Sequence, residues 1–249
     1  MNGTLRRKGT IGTIGDAIGW LRRNPILIGV FFLYGLLDLF SGLFGPIGGV
    51  LTLLGFFVGP YIDGLVHVIG AQEAAGETSD IGRASTAVLR RFLSLIGVMV
   101  LYILIVAVGL ILFVLPGLYF GLRLSLAFPA CVIDDQGAFE SLDTSWTVAK
   151  GNLLKLFGIS VALFLLTIAT IVVTLLATGL EEEFYLAYLA VSAVFTAFIS
   201  PVVQFAYARV YLENRPVSDS HSDTTSRHES SWGSTDDRAR DDSWGGDDW

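Results

Sequence analysis

The chain has 249 residues, of which 53% are hydrophobic and only 16% are charged, and its mean hydropathy is +0.63. A soluble domain carries about 25% charged residues, so the composition excludes an ordinary soluble protein and indicates one that lies in a membrane. The net charge is −7, and we expect no nucleic-acid partner. A single cysteine, Cys131, excludes an internal disulfide and a cysteine-based metal cluster.

Six apolar segments are candidates for membrane-spanning helices, each of which needs about 20 mainly apolar residues. The six are Ile26–Phe44, Ile47–Ala71, Leu93–Leu115, Leu118–Ile133, Leu154–Leu180 and Phe184–Leu212. The fourth is short and contains Arg123 and Pro129, so we expect it to be packed inside the bundle, kinked or partly re-entrant. Leu115, Pro116 and Gly117 predict a tight turn before it. The predicted fold class is therefore all-α, a bundle of six transmembrane helices.

The basic residues divide the connections into two groups. Of the 16 lysines and arginines, all but Arg123 lie in, or at the edge of, the N-terminus, the second and fourth connections or the C-terminal tail. The first, third and fifth connections carry none. This positive-inside pattern predicts a multi-pass protein of the cell membrane with both termini in the cytoplasm.

Three stretches on the predicted cytoplasmic side have apolar residues at helical spacing, which is typical of helices lying along the membrane surface. Their apolar faces are Ile11, Ile14, Ile18 and Leu21; Ile81, Ala84, Val88 and Phe92; and Phe139, Leu142, Trp146 and Ala149. Each stretch precedes a basic anchor and an odd-numbered span. We therefore predict three parallel repeats, each a surface helix followed by a hairpin of two spans. The alternative is that any inward connection collects such residues.

Residues 213–249 differ from the membrane domain, residues 1–212, in being polar and rich in Ser, Asp and Gly. Ten acids and four arginines lie there, and we predict an acidic, disordered cytoplasmic tail. Two S-W-G segments around Trp232 and Trp244 could bind a soluble partner, or reflect low complexity alone. Few lysines and many acids are also typical of a halophilic archaeon, where carboxylates resist salting-out.

Ionisable residues inside spans are costly and indicate function by default. The candidates are Asp38, Asp63, His67 and Arg123. Counting about 1.5 Å per residue puts Asp38 and Arg123 at roughly the same depth, so we predict that they form an ion pair. Asp63 and His67 lie one helical turn apart and could relay protons or hold a cation. The structural alternatives are a pair that only joins helices and a histidine that only packs.

The motifs of common enzymes are absent: the sequence has no G-x-S-x-G, Walker A, H-E-x-x-H or dinucleotide-binding motif. We therefore expect no enzymatic activity, cofactor or metal centre. Asp134 and Asp135 could bind Mg²⁺, but no third ligand lies nearby, and we favour a role in starting the next helix.

One ordered set of motifs extends from the predicted turn to the fifth span. It consists of Leu115-Pro116-Gly117, Arg123-Leu124-Ser125-Leu126-Ala127-Phe128-Pro129, Asp134-Asp135-Gln136-Gly137, Ala138-Phe139-Glu140-Ser141-Leu142, Ser145-Trp146 and Lys150-Gly151-Asn152. It resembles the membrane domain of some glycerophosphoryl diester phosphodiesterases and related six-span families. The resemblance implies a six-helix bundle in which Pro116, Gly117, Arg123, Ser145 and Gly151 are the motif positions. It does not imply phosphodiesterase activity, because that chemistry belongs to a separate barrel domain.

Two functions remain open from the sequence. The first is a non-enzymatic scaffold or accessory in membrane or envelope processes, with the tail recruiting a soluble partner. The second is a transporter of a small solute or lipid that uses Asp38, Asp63, His67 and Arg123. A polar cavity that reaches these residues would favour the second.

Overall fold

The computed structural model describes residues 5–179 and 183–215, which form helices and contain no strand. The helices are α1 Thr10–Arg23, α2 Ile26–Leu43, α3 Gly45–Ala75, α4 Ile81–Arg90, α5 Phe92–Leu112, α6 Val114–Leu124, α7 Ala127–Ile133, α8 Ala138–Ala149, α9 Leu153–Thr178 and α10 Glu183–Asn214. The predicted all-α fold is confirmed. Of the predicted tail, residues 213–249, only the first three residues are described, and residues 216–249 lie outside the described residues.

All six predicted spans correspond to helices long and apolar enough to cross a membrane. They are α2, α3, α5, the pair α6 and α7, α9 and α10. Most of their apolar surface is not covered by the protein: only 11% of the most apolar window of α9 is buried. A lipid environment explains this surface, because water would make it unfavourable.

The fourth span is broken between α6 and α7 and is the most enclosed, with 50% of its window buried. Pro129 causes the break. Its ring lacks an N–H and would collide in a continuous helix with the carbonyl four residues earlier, which belongs to Ser125, the C-cap of α6. The expectation of a kinked, interior span is therefore confirmed.

The turn before this span differs from the prediction. α5 ends at Leu112 and α6 begins at Val114, so the chain reverses at Phe113, which is extended with φ −162° and ψ 150°. Pro116 and Gly117 lie in the first turn of α6, where a proline removes only an amide that has no helical partner. The predicted turn at residues 115–117 is wrong by a few residues.

The three predicted surface helices form as α1, α4 and α8, but their buried faces are only partly those predicted. The buried residues are Thr13, Ala17, Trp20 and Leu21 in α1, Ala84 and Val88 in α4, and Ser141, Leu142, Ser145, Val148 and Ala149 in α8. Ile11 and Phe139 are 88% and 77% exposed. Both small and large side chains, such as Ala17 and Trp20, therefore face the spans, and part of each predicted apolar face is not covered by the protein.

Both ends of the described chain lie at one end of the bundle, since Arg7 Nη2 donates to Asn214 Oδ1 at 2.6 Å. The connections that contain α4 and α8 join the same ends of the spans. We call this end, with α1, α4 and α8, the terminus face. The opposite end has the short connections at Phe44 and Phe113 and the end of α9.

The order of a short helix followed by two spans occurs three times: α1 to α3, α4 to α7, and α8 to α10. Near the start of each unit's first span a leucine is fully buried: Leu27, Leu95 and Leu156 are 1%, 0% and 0% exposed. Each lies two residues before a glycine, which is Gly29, Gly97 or Gly158. These features agree with the predicted repeat.

The last helix holds the bundle together, because α10 packs on α1, α2, α3 and α9. Its crossing with α2 is very close. A Cβ atom added to Gly35 would lie 2.8 Å from the Cα atom of Ala193. Small residues that let backbones approach are a usual means of association between membrane helices.

Candidate functional site

A polar cavity of about 150 Å³ lies inside the bundle. Its lining comes from α3, α5, α7, α10 and the break between α6 and α7: Asp63, Tyr102, Ser125, Phe128, Gln204 and Tyr207. Five of the six side chains carry an oxygen. A cavity of this size and polarity has room for several water molecules or a hydrated ion.

The cavity walls are held by hydrogen bonds to the surrounding helices. The Tyr102 hydroxyl donates to the Gly121 carbonyl at 3.4 Å, and the Ser125 hydroxyl donates to the Leu122 carbonyl at 2.9 Å. The Tyr207 hydroxyl lies 3.4 Å from that of Ser160. These bonds fix hydroxyl oxygens around the cavity while leaving their lone pairs available.

Asp63 is the only charged residue among those that line the cavity. It forms no ion pair within the described ranges 5–179 and 183–215. An isolated carboxylate in an apolar surrounding is strongly unfavourable unless it gains a proton or a cation. The same ranges hold no cluster of three His, Cys, Asp or Glu side chains suited to a metal ion.

The other predicted acid and the histidine do not reach this cavity. His67 lies one turn further along α3, is 1% exposed, and neither of its ring nitrogens has a hydrogen-bond partner among the residues that the structure describes. Asp38 is exposed near the end of α2, where its carbonyl accepts a hydrogen bond from Ser41. The four predicted intramembrane residues therefore do not form one site.

Arg123 is buried at 5% exposure, and the predicted ion pair with Asp38 is wrong. Its guanidinium lies 4.1 Å from the ring centroid of Trp146 and 5.7 Å from that of Tyr119. The prediction rested on equal depth in the two helices. However, α2 and α6 are not neighbours in the bundle, and the Arg123 side chain contacts Trp146 of α8.

Ser145, another motif position, forms hydrogen bonds with backbone groups at the break in the fourth span. Its hydroxyl donates to the Arg123 carbonyl at 2.9 Å and accepts from the Leu126 amide at 3.1 Å. Both backbone groups lie at the break, and a hydroxyl from a neighbouring helix is a known way to satisfy such groups in a membrane. The residue is fully buried.

The remaining motif positions shape the backbone. Gly117 lies against Gly109: a Cβ atom on Gly109 would be 2.8 Å from the Cα atom of Gly117, so α5 and α6 can be close only with glycine at both sites. Pro116 lies one residue earlier, in the first turn of α6. Gly151 lies in the short connection from α8 to α9, as a helix stop requires.

Asp134 and Asp135 form ion pairs with arginines at the terminus face. They do not begin α8, whose N-terminal cap is Gly137. Asp134 accepts from Arg215 at 2.6 Å, while Asp135 accepts from Arg91 at 2.6 Å. The hydrogen bond from Arg91 holds the pKa of the Asp135 carboxyl below its usual range, and the same bond raises the pKa of Arg91. The predicted capping role is therefore wrong.

A buried ionic cluster near the end of α10 escaped the sequence analysis. Arg209 is 4% exposed and lies 3.0 Å from Asp16 and 3.1 Å from Glu213, while Lys155 lies 2.5 Å from Glu213. Arg209 lies near the end of the predicted sixth span, Phe184–Leu212, and was counted with the basic residues at the edge of the C-terminal tail. The cavity residues Tyr102, Ser125, Gln204 and Tyr207 were missed as well, because uncharged polar residues are frequent in membrane helices.

Comparison with curated proteins and with solved structures gives no match. The family model described as "Membrane domain of glycerophosphoryl diester phosphodiesterase" matches residues 94–235. This range begins in α5 and includes the broken span, Arg123, Ser145 and all the motif positions. It covers more than half of the chain, and the six apolar helices agree with a membrane domain. The chain is an integral membrane protein that belongs to the family of the membrane domain of glycerophosphoryl diester phosphodiesterase.

Proposed function

We propose that the protein binds a small monovalent cation at Asp63, without enzymatic activity, as part of moving that cation or a coupled solute across the membrane. The observation that supports this is the polar cavity with a single unpaired carboxylate at its wall. It favours the transporter hypothesis over a bundle that serves only as a scaffold.

The chemistry of the lining favours a monovalent ion. Asp63 supplies one negative charge, and hydroxyl oxygens and the Gln204 amide supply neutral ligands. Divalent ions such as Ca²⁺ and Mg²⁺ usually use several carboxylates or phosphates. The break at Ser125 adds to the case, because interrupted helices supply backbone oxygens to cations in many transporters.

The test uses the full chain in liposomes with an imposed sodium or potassium gradient. Radioactive cation uptake should be measured for the wild type, Asp63→Asn and Asp38→Asn. The first variant removes the only carboxylate at the cavity, while the second removes an exposed carboxylate outside it. We expect uptake to be lost in Asp63→Asn alone. Equal uptake in all three proteins would reject the proposal.

Binding gives a second measurement that does not depend on transport. An ion that binds only the folded protein adds about 2.7 kcal/mol to the free energy of unfolding at a hundredfold excess over Kd. We expect the temperature of thermal unfolding in detergent to rise with the concentration of the cation that binds. Asp63→Asn should abolish this rise. A rise that is the same with every salt and in the variant would indicate a general salt effect.

A scaffold or accessory role in membrane or envelope processes is the second candidate. Ion pairs between helices at the terminus face, such as Arg23 with Glu73 at 2.6 Å, support it because they make this face a fixed platform. In this proposal residues 213–249 recruit a soluble partner. Partner capture at high salt with and without these residues tests it, and equal capture would reject the role of the tail.

The orientation is also part of the proposal: both termini in the cytoplasm and the protein in the cell membrane. The positive-inside pattern supports it. Single cysteines at positions 182 and 234, in a chain with Cys131→Ala, should react with an impermeant reagent on whole cells only at position 182. Reaction at position 234 on whole cells would contradict the proposed orientation.

A further inference from the structure

Arg123 is a buried cation that forms no ion pair with any residue in the described ranges 5–179 and 183–215. Its Nε atom has no hydrogen-bond partner among the described residues, and no described carboxylate pairs with it. A buried, unpaired charge costs several kcal/mol. The rings of Trp146 and Tyr119 offset part of this cost, since a desolvated cation–π contact contributes about 2 kcal/mol. An anion bound at Arg123 would offset the rest of this cost.

An apolar groove of about 330 Å³ lies beside this arginine, between α6 and α9. It is lined by Leu115, Leu118, Tyr119, Leu122, Leu153, Leu154 and Phe157. Tyr119 belongs to both features, because its ring lines the groove and lies 5.7 Å from the guanidinium. Leu122 also lines the groove and precedes Arg123 in α6. The groove and the cation are therefore adjacent.

The arginine contacts a helix of the terminus face, and part of the groove is formed by the start of α9. Trp146 belongs to α8, one of the helices of that face, and Leu153, Leu154 and Phe157 lie in the first two turns of α9. Leu154 is 83% exposed, which fits a side chain that contacts lipid. The groove residues of α6 precede Arg123 and so lie towards the Phe113 end of that helix, and a lipid whose phosphate contacts Arg123 would direct an acyl chain the same way.

We propose that Arg123 binds the phosphodiester of an anionic phospholipid, with one acyl chain of that lipid lying in the groove between α6 and α9. The planar guanidinium suits phosphate oxygens because it can donate two parallel hydrogen bonds. The groove favours a lipid over a free anion, since six of its seven lining residues have purely apolar side chains and only Tyr119 carries a hydroxyl. This site is separate from the Asp63 cavity and shares no lining residue with it.

The test is photocrosslinking of the delipidated full chain in a non-ionic detergent. One probe is a phosphatidylglycerol with a diazirine in its acyl chain, and the other is the diacylglycerol with the same chain and no phosphate. Labelled peptides are mapped by mass spectrometry. We expect the first probe to label residues 115–122 and 153–157 at least tenfold more than the second. Equal labelling by both probes would overturn the proposal.

Variants separate the two halves of the site. Arg123→Gln should reduce the labelling by about tenfold, whereas Arg83→Gln, an exposed arginine of the terminus face, should leave it unchanged. Leu118→Trp keeps the arginine and fills the groove from a side chain that is 43% exposed, so it tests the acyl chain even where Arg123→Gln fails to fold. Unchanged labelling in Leu118→Trp would overturn the proposal. So would loss of wild-type labelling in millimolar inorganic phosphate, because the ligand would then be the free anion.

Discussion

Ser145 of α8 and Arg123 of α6 are joined by a hydrogen bond of 2.9 Å from the serine hydroxyl to the arginine carbonyl. The bond has a structural cause, since Pro129 interrupts the fourth span and leaves backbone groups without helical partners. The next residue of α8, Trp146, lies against the guanidinium of the same arginine. One turn of a short helix thus holds both the backbone and the side chain at the break, which explains why these motif positions occur together.

Removal of the Ser145 hydroxyl should destabilise the protein. In Ser145→Ala the Leu126 amide and the Arg123 carbonyl lose a buried partner, which costs about 1–3 kcal/mol in the free energy of unfolding. Equilibrium unfolding in mixed micelles measures it. Thr147→Ala, at an exposed position of the same helix, is the control and should change stability by about 0.5 kcal/mol or less. Equal effects of the two changes would contradict the bridging role.

A methyl group at Gly35 should separate α2 from α10. The added Cβ atom would lie 2.8 Å from backbone atoms of Ala193, so the two helices must move apart, at a cost of about 1–3 kcal/mol. Gly49→Ala is the matched control, because nothing lies within 4 Å of its Cβ position. Its greater helix propensity should stabilise the protein by up to about 1 kcal/mol. The pair of variants is compared by thermal unfolding in detergent, and two destabilised proteins would argue against close packing at Gly35.

Loss of the Glu213 charge should be costly. The side chain is 0% exposed and lies between Lys155 and Arg209, so Glu213→Gln removes the carboxylate that pairs with Lys155, leaves Arg209 with Asp16 alone, and should destabilise by about 3–5 kcal/mol. Glu77→Gln removes one partner of an exposed pair with Arg83 and should cost at most about 1 kcal/mol. Chemical unfolding measures both. Similar losses would show that the cluster at α10 is solvated.

Acid should weaken the contact of α7 with α5 through Asp135. Because Arg91 lowers the pKa of this carboxyl in the folded protein, its contribution is fully present above the ordinary aspartate pKa of about 3.9. The contribution disappears as the pH falls through the lower, folded pKa. The difference in Tm between the wild type and Asp135→Asn should therefore be constant from pH 5 to 7 and vanish in stronger acid. A difference that grows on acidification would contradict this sign.

Hydropathy predicted the spans well because a membrane helix must be apolar over its whole length, whatever its neighbours are. α2 begins at the predicted residue, Ile26, and ends within one residue of the predicted end. The buried faces of the surface helices were harder. Spacing placed Phe139 on the apolar face of α8 with Leu142, yet Phe139 is 77% exposed while Ser141 is fully buried, because contacts with the spans decide which residues the protein covers.

In the candidate sites, too, single residues could be predicted from the sequence but their contacts could not. Asp63 and Arg123 stood out in the sequence, since an ionisable residue in an apolar segment is unusual. Their surroundings did not. Gln204 meets Asp63 across more than a hundred residues of chain, and Trp146 meets Arg123 from a helix that the sequence placed on the surface.

The sequence by itself determined the class of the protein, its six spans and the interrupted fourth span. These follow from local composition, because the bilayer acts on each segment separately. The tertiary structure alone decided that Asp63 lies at a polar cavity, that Arg123 lies against Trp146 and not beside Asp38, and that Ser145 closes the break. The reason is physical: contacts between helices depend on which faces meet, and side chains far apart in the chain jointly select those faces.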